Sequence, residues 1–433
     1  MSKSALPAQL SNRPLFAKIF CALILLFPAA SLVIPRGGNT VMFLTVALGA
    51  TVLVTERKQG DIWRLFRSDI GVRVFISALC LPFFAILIVE LLHGKVVSNT
   101  LDSPVRFVLA VIVFLGLRRL APSVPKVVDL TFGAGAICAA IMAVYSTTDI
   151  LEARAESAFL NPIHFGDISL LLGILSVVSI HWLAHDKPWV VVFKIAGALA
   201  GGYASWASQS RGGWIALPCL LVVWLFWREP GVNMWRRVMI AVVAVVLLAG
   251  AFASPLVRDR FEAVRSDLTN LSQGHPDTST GIRLELWKAA GKLIVEHPLL
   301  GLGAHGYRDA MPEMSASGVL TPLAADLGKG EVHNQILAYA TDYGLILGLL
   351  AILGVYAGPA YLYLRAARVR SSRKEHRAAL MGLMTAVAFA VFGLTVETFN
   401  LKVTVAFYAT MLAVFAAFAY PDGDPDNKTP AAR

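Results

Sequence analysis

The segment VMIAVVAVVLLAGAFA, residues 238–253, contains no charged side chain and runs directly into a long polar stretch that extends from Ser254 to Gln335. Such a continuously apolar run is typical of a membrane-spanning helix, since about 20 apolar residues cross roughly 30 Å of hydrocarbon. The strands of a β-barrel would show short segments of alternating polarity instead. These residues therefore predict an all-α membrane protein with one large loop outside the bilayer.

The whole chain has the composition of an integral membrane protein. Of its 433 residues, 57% are hydrophobic and only 15% are charged, and the mean hydropathy is +0.66. This is too apolar for a soluble domain of ordinary composition. Apolar runs of spanning length predict about twelve helices, near residues 16–34, 40–55, 74–92, 104–117, 127–145, 164–183, 189–207, 213–227, 238–254, 344–364, 378–396 and 402–420.

The positive charges predict how the chain crosses the membrane. Cationic residues cluster in alternate short loops, namely Arg57, Lys58, Arg64, Arg67, Arg73, Arg118, Arg119, Lys126, Lys187, Arg228, Arg236, Arg237, Arg365, Arg368, Arg370, Arg373, Lys374 and Arg377. The positive-inside rule places these loops and both termini in the cytoplasm. The net charge of +10 is thereby explained by topology and contact with membrane lipids, without a nucleic acid partner.

With this orientation, the polar stretch faces outward, into the periplasm of a bacterium with two membranes. We expect residues 1–433 to form a single domain in the inner membrane. Within it, residues 256–333 are expected to contain amphipathic helices and to form a lid over an outward-facing active site.

Cysteine and histidine usage predicts neither disulfides nor a metal centre. The four cysteines, Cys21, Cys80, Cys138 and Cys219, all lie inside predicted spans. The histidines of the outer loop lack the His-x3-His spacing of a helical zinc site. We therefore expect no metal and no other cofactor, and no role is assigned to His275, His297 or His305.

A first candidate binding residue is Arg211, at the outer end of the seventh predicted span. It lies in the sequence Ser210-Arg211-Gly212-Gly213, where glycines allow a bulky ligand to approach the backbone. The guanidinium presents a rigid set of donors that matches phosphate oxygens. The alternative is that Arg211 extends towards lipid head groups.

A second candidate is Arg283, in the polar stretch. Residues 282–294 show the apolar spacing of an amphipathic helix, preceded by the capping cluster Asp277-Thr278-Ser279-Thr280. This pattern predicts that Arg283 lies in the first helical turn, where free backbone amides also favour an anion. The alternative is a solvated charge on a helix face.

His333 is the candidate catalytic residue. It lies in Glu331-Val332-His333-Asn334-Gln335, where the outer loop returns to the membrane. An imidazole, with a reference pKa of about 6.5, suits general base catalysis near neutral pH. Considered alone, a single histidine is more often structural than catalytic, so the interpretation depends on the position of His333 and on the two arginines.

Taken in order, these motifs resemble the O-antigen ligase family. The resemblance rests on Ser210-Arg211-Gly212, on Arg283-Leu284-Glu285-Leu286-Trp287 followed by His297-Pro298-Leu299-Leu300-Gly301-Leu302-Gly303, and on Val332-His333-Asn334-Gln335-Ile336-Leu337. It covers roughly residues 200–350. It implies a membrane glycosyltransferase that uses a glycan linked to undecaprenyl diphosphate.

The resemblance implies an inverting and metal-independent transfer to the lipid A core oligosaccharide, in the biosynthesis of lipopolysaccharide. His333 would activate the acceptor hydroxyl, while Arg211 and Arg283 would bind the donor diphosphate. The same superfamily includes O-antigen polymerases and protein O-oligosaccharyltransferases. Polymerases often have two large outer loops, whereas the other outer stretch here, Ser146–Pro162, is short.

A secondary transporter is the alternative from another class of protein, since about twelve helices would also suit one. Transporters usually place ionisable groups near the middle of the bilayer. The nearest candidates are Lys194, Asp129 and Asp167, and all three lie towards the ends of predicted spans.

Overall fold

The computed structural model describes residues 13–55, 61–147, 154–210, 212–227, 277–370 and 372–422, together with residues 235, 238–239, 242, 265–267, 269 and 273. Throughout these residues the chain is built from helices, and no strand element forms. The all-α fold class predicted from the sequence is confirmed.

Ten α-helices precede the polar stretch within the described residues. They are α1 (Arg13–Val33), α2 (Gly37–Thr55), α3 (Asp61–Ser68), α4 (Ile70–Leu92), α5 (Ser98–Asp102), α6 (Val105–Leu120), α7 (Thr131–Thr147), α8 (Pro162–Val178), α9 (Pro188–Ala207) and α10 (Ala216–Phe226).

Seven helices follow in the second part of the chain. They are α11 (Ser279–Glu296), α12 (Gly306–Ala316), α13 (Pro322–Gly328), α14 (Gln335–Tyr343), α15 (Leu349–Val369), α16 (Arg373–Phe392) and α17 (Lys402–Ala419). A π-helical turn, Gly344–Gly348, joins α14 to α15.

The helices have the lengths and composition of a multi-pass membrane protein. Within the described ranges, nine helical segments are long and apolar enough to cross a bilayer, and two shorter apolar helices, Pro162–Val178 and Gly212–Phe226, lie among them. These segments overlap the spans predicted from the sequence, except for residues 238–254. That predicted span lies almost wholly outside the described residues.

The helix α17 forms the centre of the bundle. Of its membrane-spanning window, 94% is buried, and it packs between α6 and α16. Small residues allow the neighbouring helices α2 and α6 to approach each other closely. A Cβ added at Gly116 of α6 would lie 2.5 Å from Gly49 Cα of α2.

The described part of the polar stretch forms a compact helical layer on top of α14. Its helices α11, α12 and α13 share a separate hydrophobic cluster that includes Leu286, Met311 and Ala324. Val332, just before α14, belongs to the same cluster. Burial of these side chains ties the layer to the membrane helix that follows it.

Two of the ionisable groups considered for transport bind each other. Lys194 Nζ lies 2.9 Å from Asp129 Oδ2 and 2.8 Å from Asp186 Oδ2, and it also donates to Ser179 O at 2.9 Å. These contacts join the start of α7, the end of α8 and the first half of α9. Such a satisfied buried network connects helices, and it lies at the opposite end of α8 from His164.

The contact between α2 and α6 generates a stability prediction. Gly116→Ala places a Cβ against backbone atoms of Gly49 that cannot move aside, so we expect a loss of about 1–3 kcal/mol of stability. Gly202→Ala in α9 is the matched control, because a Cβ there meets nothing within 4 Å. Thermal unfolding in detergent compares the two variants, and equal midpoints would contradict the packing described here.

Candidate active site

Two side chains from other elements hydrogen-bond the backbone of Val332, in the segment Glu331–Gln335. Val332 donates its backbone N–H to the Glu397 carboxylate, and its carbonyl oxygen accepts a hydrogen bond of 3.1 Å from Trp287 Nε1 of α11. Both backbone groups next to His333 are therefore fixed by side chains from other elements.

The same segment is also fixed on its other side. Asn334 caps α14, with its Oδ1 accepting from Ile336 N at 3.0 Å and from Leu337 N at 3.1 Å. Gln335 N donates to Gly393 O at 2.7 Å. His333 therefore lies between two anchored residues, at the end of the bundle where α14 begins and α16 ends.

His333 adopts a left-handed backbone conformation, with a φ of 58°. Residues other than glycine rarely occupy this region, and those that do are concentrated at functional sites. The hydrogen bonds on either side of His333 hold it there. This conformation directs the imidazole back towards Glu331.

The imidazole of His333 contacts the Glu331 carboxylate. His333 Nδ1 lies 2.6 Å from Glu331 Oε1, and the two side chains are 22% and 16% exposed. Their alignment departs from that of a hydrogen bond, so the contact is an ion pair when the ring is protonated. Burial alone would raise the pKa of the Glu331 carboxyl, but the contact with His333 holds it below its ordinary value.

Arg283 faces the same carboxylate from α11. It lies one turn before Trp287, so both side chains are on the face of α11 that meets Glu331–Gln335. The side chain is half-buried. Burial lowers the pKa of the Arg283 guanidinium, and the charge of Glu331 opposes this effect. Glu331 thus contacts His333 and acts electrostatically on Arg283, the other predicted residue that the structure describes here.

The prediction that Arg283 lies in the first turn of its helix is wrong. Thr278 is the N-cap, and α11 begins at Ser279, so Arg283 is the fifth helical residue. The amides at the start of α11 already have acceptors, since Gly281 N donates to Thr278 Oγ1 and Thr280 N donates to Asp267 Oδ2. Anion binding by Arg283 therefore depends on its side chain and not on the helix terminus.

The start of α8 supplies a second histidine. Asn161 caps this helix by accepting from His164 N at 3.0 Å, which fixes His164 in the first turn. The His164 side chain is 3% exposed, and it is near enough to the Glu331 carboxyl to interact with it electrostatically. An element far away in the sequence thus contributes to the surroundings of Glu331.

Arg211, the remaining predicted residue, lies outside the described residues, but its neighbours are placed at the same end of the bundle. Ser210 Oγ donates to Asp167 Oδ1 of α8 at 2.9 Å. A Cβ added at Gly212 would lie 2.4 Å from Thr395 Oγ1, and one at Gly213 would lie 2.2 Å from Asp167 Oδ1. Ser210, Gly212 and Gly213 thus lie against α8 and the turn after α16.

Sequence reasoning missed Glu331, His164 and Glu397 as members of this site. Glu331 stands two residues from His333, and that proximity was the available signal. His164 follows an Asn-Pro capping pair at the outer end of a predicted span, and Glu397 is a carboxylate between two predicted spans. Only the packing of α8, α11 and the turn after α16 brings them to one place.

The remaining histidines of the outer loop differ in position. His297 ends α11 and is exposed. His305 precedes α12 and, like His333, has a left-handed backbone, with a φ of 62°. His275 lies outside the described residues.

Comparison with known families bears directly on this arrangement. Residues 195–353 match the model of the family described as O-Antigen ligase. This part of the chain is therefore similar to the O-antigen ligase family. The matched segment includes His333, Glu331, Arg283 and the turn at Ser210–Gly213, and it extends from α9 into α15.

A relative is similar over much of the chain. It is an uncharacterized protein of Haemophilus influenzae, 24% identical over 351 residues, and the match covers 79% of this chain and 84% of the relative. Members of the O-antigen ligase family are glycosyltransferase-like membrane enzymes. An imidazole, a carboxylate and a guanidinium held together are suited to proton transfer beside an anionic group.

The lowered pKa of Glu331 predicts how this contact depends on pH. Because the folded-state pKa is depressed, the contact stabilises the fold above the ordinary carboxyl value and is lost as the pH falls through the folded value. We expect Glu331→Gln to lower the melting temperature near pH 7, with the difference from wild type narrowing below about pH 4.

Glu296→Gln on the exposed end of α11 is the matched control, since Glu296 is 45% exposed and pairs loosely with Lys292 at 3.9 Å. Melting temperatures measured between pH 3 and pH 7 provide the comparison. A Glu331→Gln deficit that stayed constant over this range would show that Glu331 does not act through its charge.

Proposed function

We propose that this protein is an O-antigen ligase that transfers a glycan from undecaprenyl diphosphate to the lipid A core oligosaccharide in lipopolysaccharide biosynthesis. The observation that carries the proposal is the group formed by His333, Glu331 and Arg283. It lies within the matched family segment, where the helical layer of the outer loop meets the membrane helices.

In the proposed reaction, His333 is the general base. Its Nδ1 faces Glu331, which leaves Nε2 to accept the proton of the acceptor hydroxyl. The acceptor oxygen forms a bond to the anomeric carbon as the bond from that carbon to the diphosphate oxygen breaks. The bonding electron pair leaves with the diphosphate, the configuration inverts, and the proton passes from His333 to solvent.

Glu331 has a positioning role in this mechanism. It holds the His333 ring at Nδ1 and stabilises the imidazolium that forms when the acceptor proton is taken up. The Val332 hydrogen bonds to Trp287 and Glu397 fix the backbone on which both residues lie. The base is thus oriented before the acceptor arrives.

The leaving diphosphate requires neutralisation more than protonation. Arg283 supplies a half-buried guanidinium beside the base, and the sequence assigns Arg211 the same role. Fixed cations stabilise the developing charge electrostatically, in the role that a divalent metal serves in many glycosyltransferases. We therefore propose a transfer that is independent of metal.

The proposed setting is the bacterial inner membrane, with both termini in the cytoplasm and the site facing the periplasm. The distribution of cationic loops supports this orientation. The segment 256–333 is proposed to act as the lid of the site, supported by the packing of its described helices α11, α12 and α13 on the segment before α14.

O-antigen polymerase is the second candidate, because it belongs to the same superfamily and uses the same class of donor. The single long outer loop favours ligase. A deletion strain separates the two on a lipopolysaccharide gel. We expect loss of all O-chain with accumulation of lipid-linked polymer, whereas products with one repeat would identify a polymerase.

The catalytic assignment predicts the behaviour of purified protein. His333→Ala removes the base, so we expect transfer from the lipid-linked donor to lipid A core to fall by about 10²–10⁴-fold. A chelator is expected to leave the wild-type rate unchanged. Initial rates of labelled glycan transfer measure both effects.

His297→Ala is the matched control, because His297 is an exposed residue of the same loop and its loss should leave the rate near that of wild type. Full activity of His333→Ala would remove His333 from the mechanism. Loss of wild-type activity on chelation would contradict the metal-independent reaction.

A further inference from the structure

A cavity of about 150 Å³ opens beside the candidate active site. Its walls come from α4, from residues 99–104, from His305 before α12, from α14 and from residues 397–402. One water molecule occupies about 30 Å³ of liquid, so the cavity has room for several waters or for one monosaccharide unit. Neither His333 nor Arg283 lines this cavity.

The lining is polar, with aromatic rings on one side. Asp342 and Glu397 lie deep in the wall and keep partly accessible side chains because they face the cavity. Asn99 and Asn400 add amide groups near the mouth, and Tyr339 forms part of an aromatic wall with Tyr343. Carboxylates and amides that hydrogen-bond hydroxyl groups, next to aromatic rings, suit a carbohydrate.

The charge of the lining disfavours an anionic ligand. Within the part of the chain that the structure describes, neither Asp342 nor Glu397 forms an ion pair. Lys402 at the mouth pairs with Asp102 instead. Besides Lys402, the lining contains one imidazole, His305, and no other basic side chain, so it is a poor match for a diphosphate.

Glu397 connects this cavity to the candidate active site. Its carboxylate lines the cavity and accepts the backbone N–H of Val332, one residue before His333. Gln335, two residues after His333, lines the cavity as well. Glu397 of the cavity and Arg283 of α11 thus come from different elements that both pack around the segment Glu331–Gln335.

We propose that this cavity binds an uncharged sugar residue of the acceptor oligosaccharide, next to the hydroxyl that His333 activates. The acceptor assignment rests on the proposed function, because an inverting displacement requires the acceptor and the leaving diphosphate on opposite sides of the anomeric carbon. In this arrangement the guanidinium of Arg283 binds the diphosphate, and the cavity binds the hydroxyl groups of the acceptor sugar.

Ligand-observed saturation-transfer NMR on the full-length protein in detergent tests the cavity without requiring any transfer reaction. The probes are D-glucose, D-galactose and D-glucose 6-phosphate. We expect saturation transfer to both neutral sugars and at least a threefold weaker effect for the phosphate. Ser103→Leu and Asn99→Leu, two separate substitutions that fill the cavity, should abolish the signal.

Two variants serve as controls for this experiment. Ser317→Leu makes the same substitution as Ser103→Leu at an exposed position after α12, and His333→Ala removes the base, so both should retain sugar binding. Absence of saturation transfer to the neutral sugars in wild type would overturn the cavity proposal. Undiminished signals in both filled variants, or equal binding of the phosphate, would also overturn it.

Steady-state kinetics then test the acceptor assignment. Ser103→Leu should raise the KM for lipid A core about tenfold and leave the KM for the lipid-linked donor unchanged. A change in the donor KM alone would overturn the assignment to the acceptor. If wild type binds sugar but transfers nothing to lipid A core, the ligase proposal fails while the sugar site remains.

Discussion

The peptide unit at Val332 is the constraint on which the site depends. Its N–H is held by Glu397 and its carbonyl by Trp287, so two elements distant in sequence fix one residue of an otherwise short connection. Asn334 fixes the far side by capping α14. Between these anchors, His333 keeps a backbone conformation that would cost free energy in a free loop. The outer helical layer and the membrane helices therefore determine the position of the imidazole together.

Much of the helical frame follows from apolar runs, because the bilayer requires helices of a minimum length. The ends of the helices are less accessible to sequence reasoning. The span predicted from residue 74 begins at Ile70 in the structure, since Asp69 caps α4 with hydrogen bonds to Gly71 N and Val72 N. The helix therefore already contains the cationic Arg73, which the prediction assigned to the preceding loop. Likewise, α14 precedes the span predicted from residue 344, because Asn334 starts a helix before the π-helical turn.

The sequence identified those site residues whose chemical type and position along the chain were enough to suggest a role. His333 and Arg283 could be identified because a histidine at membrane re-entry and an arginine on an amphipathic helix have recognisable chemistry. Their partner Glu331 and the nearby His164 could not be joined to them, because that contact depends on how α8 packs beside the segment before α14. The helical turn of Arg283 was also misjudged, since any of four polar residues from Asp277 to Thr280 could have capped α11.

The charge of Glu331 explains how Arg283 can remain charged while it is half-buried. Without a counter-charge, desolvation would penalise the guanidinium of Arg283, and Glu331 offsets that penalty in the resting protein. The contact with His333 lowers the pKa of the same carboxyl group. On the proposed mechanism, the same carboxylate thus has two roles, because it orients the His333 ring through the contact at Nδ1 and offsets the cost of burying the Arg283 guanidinium.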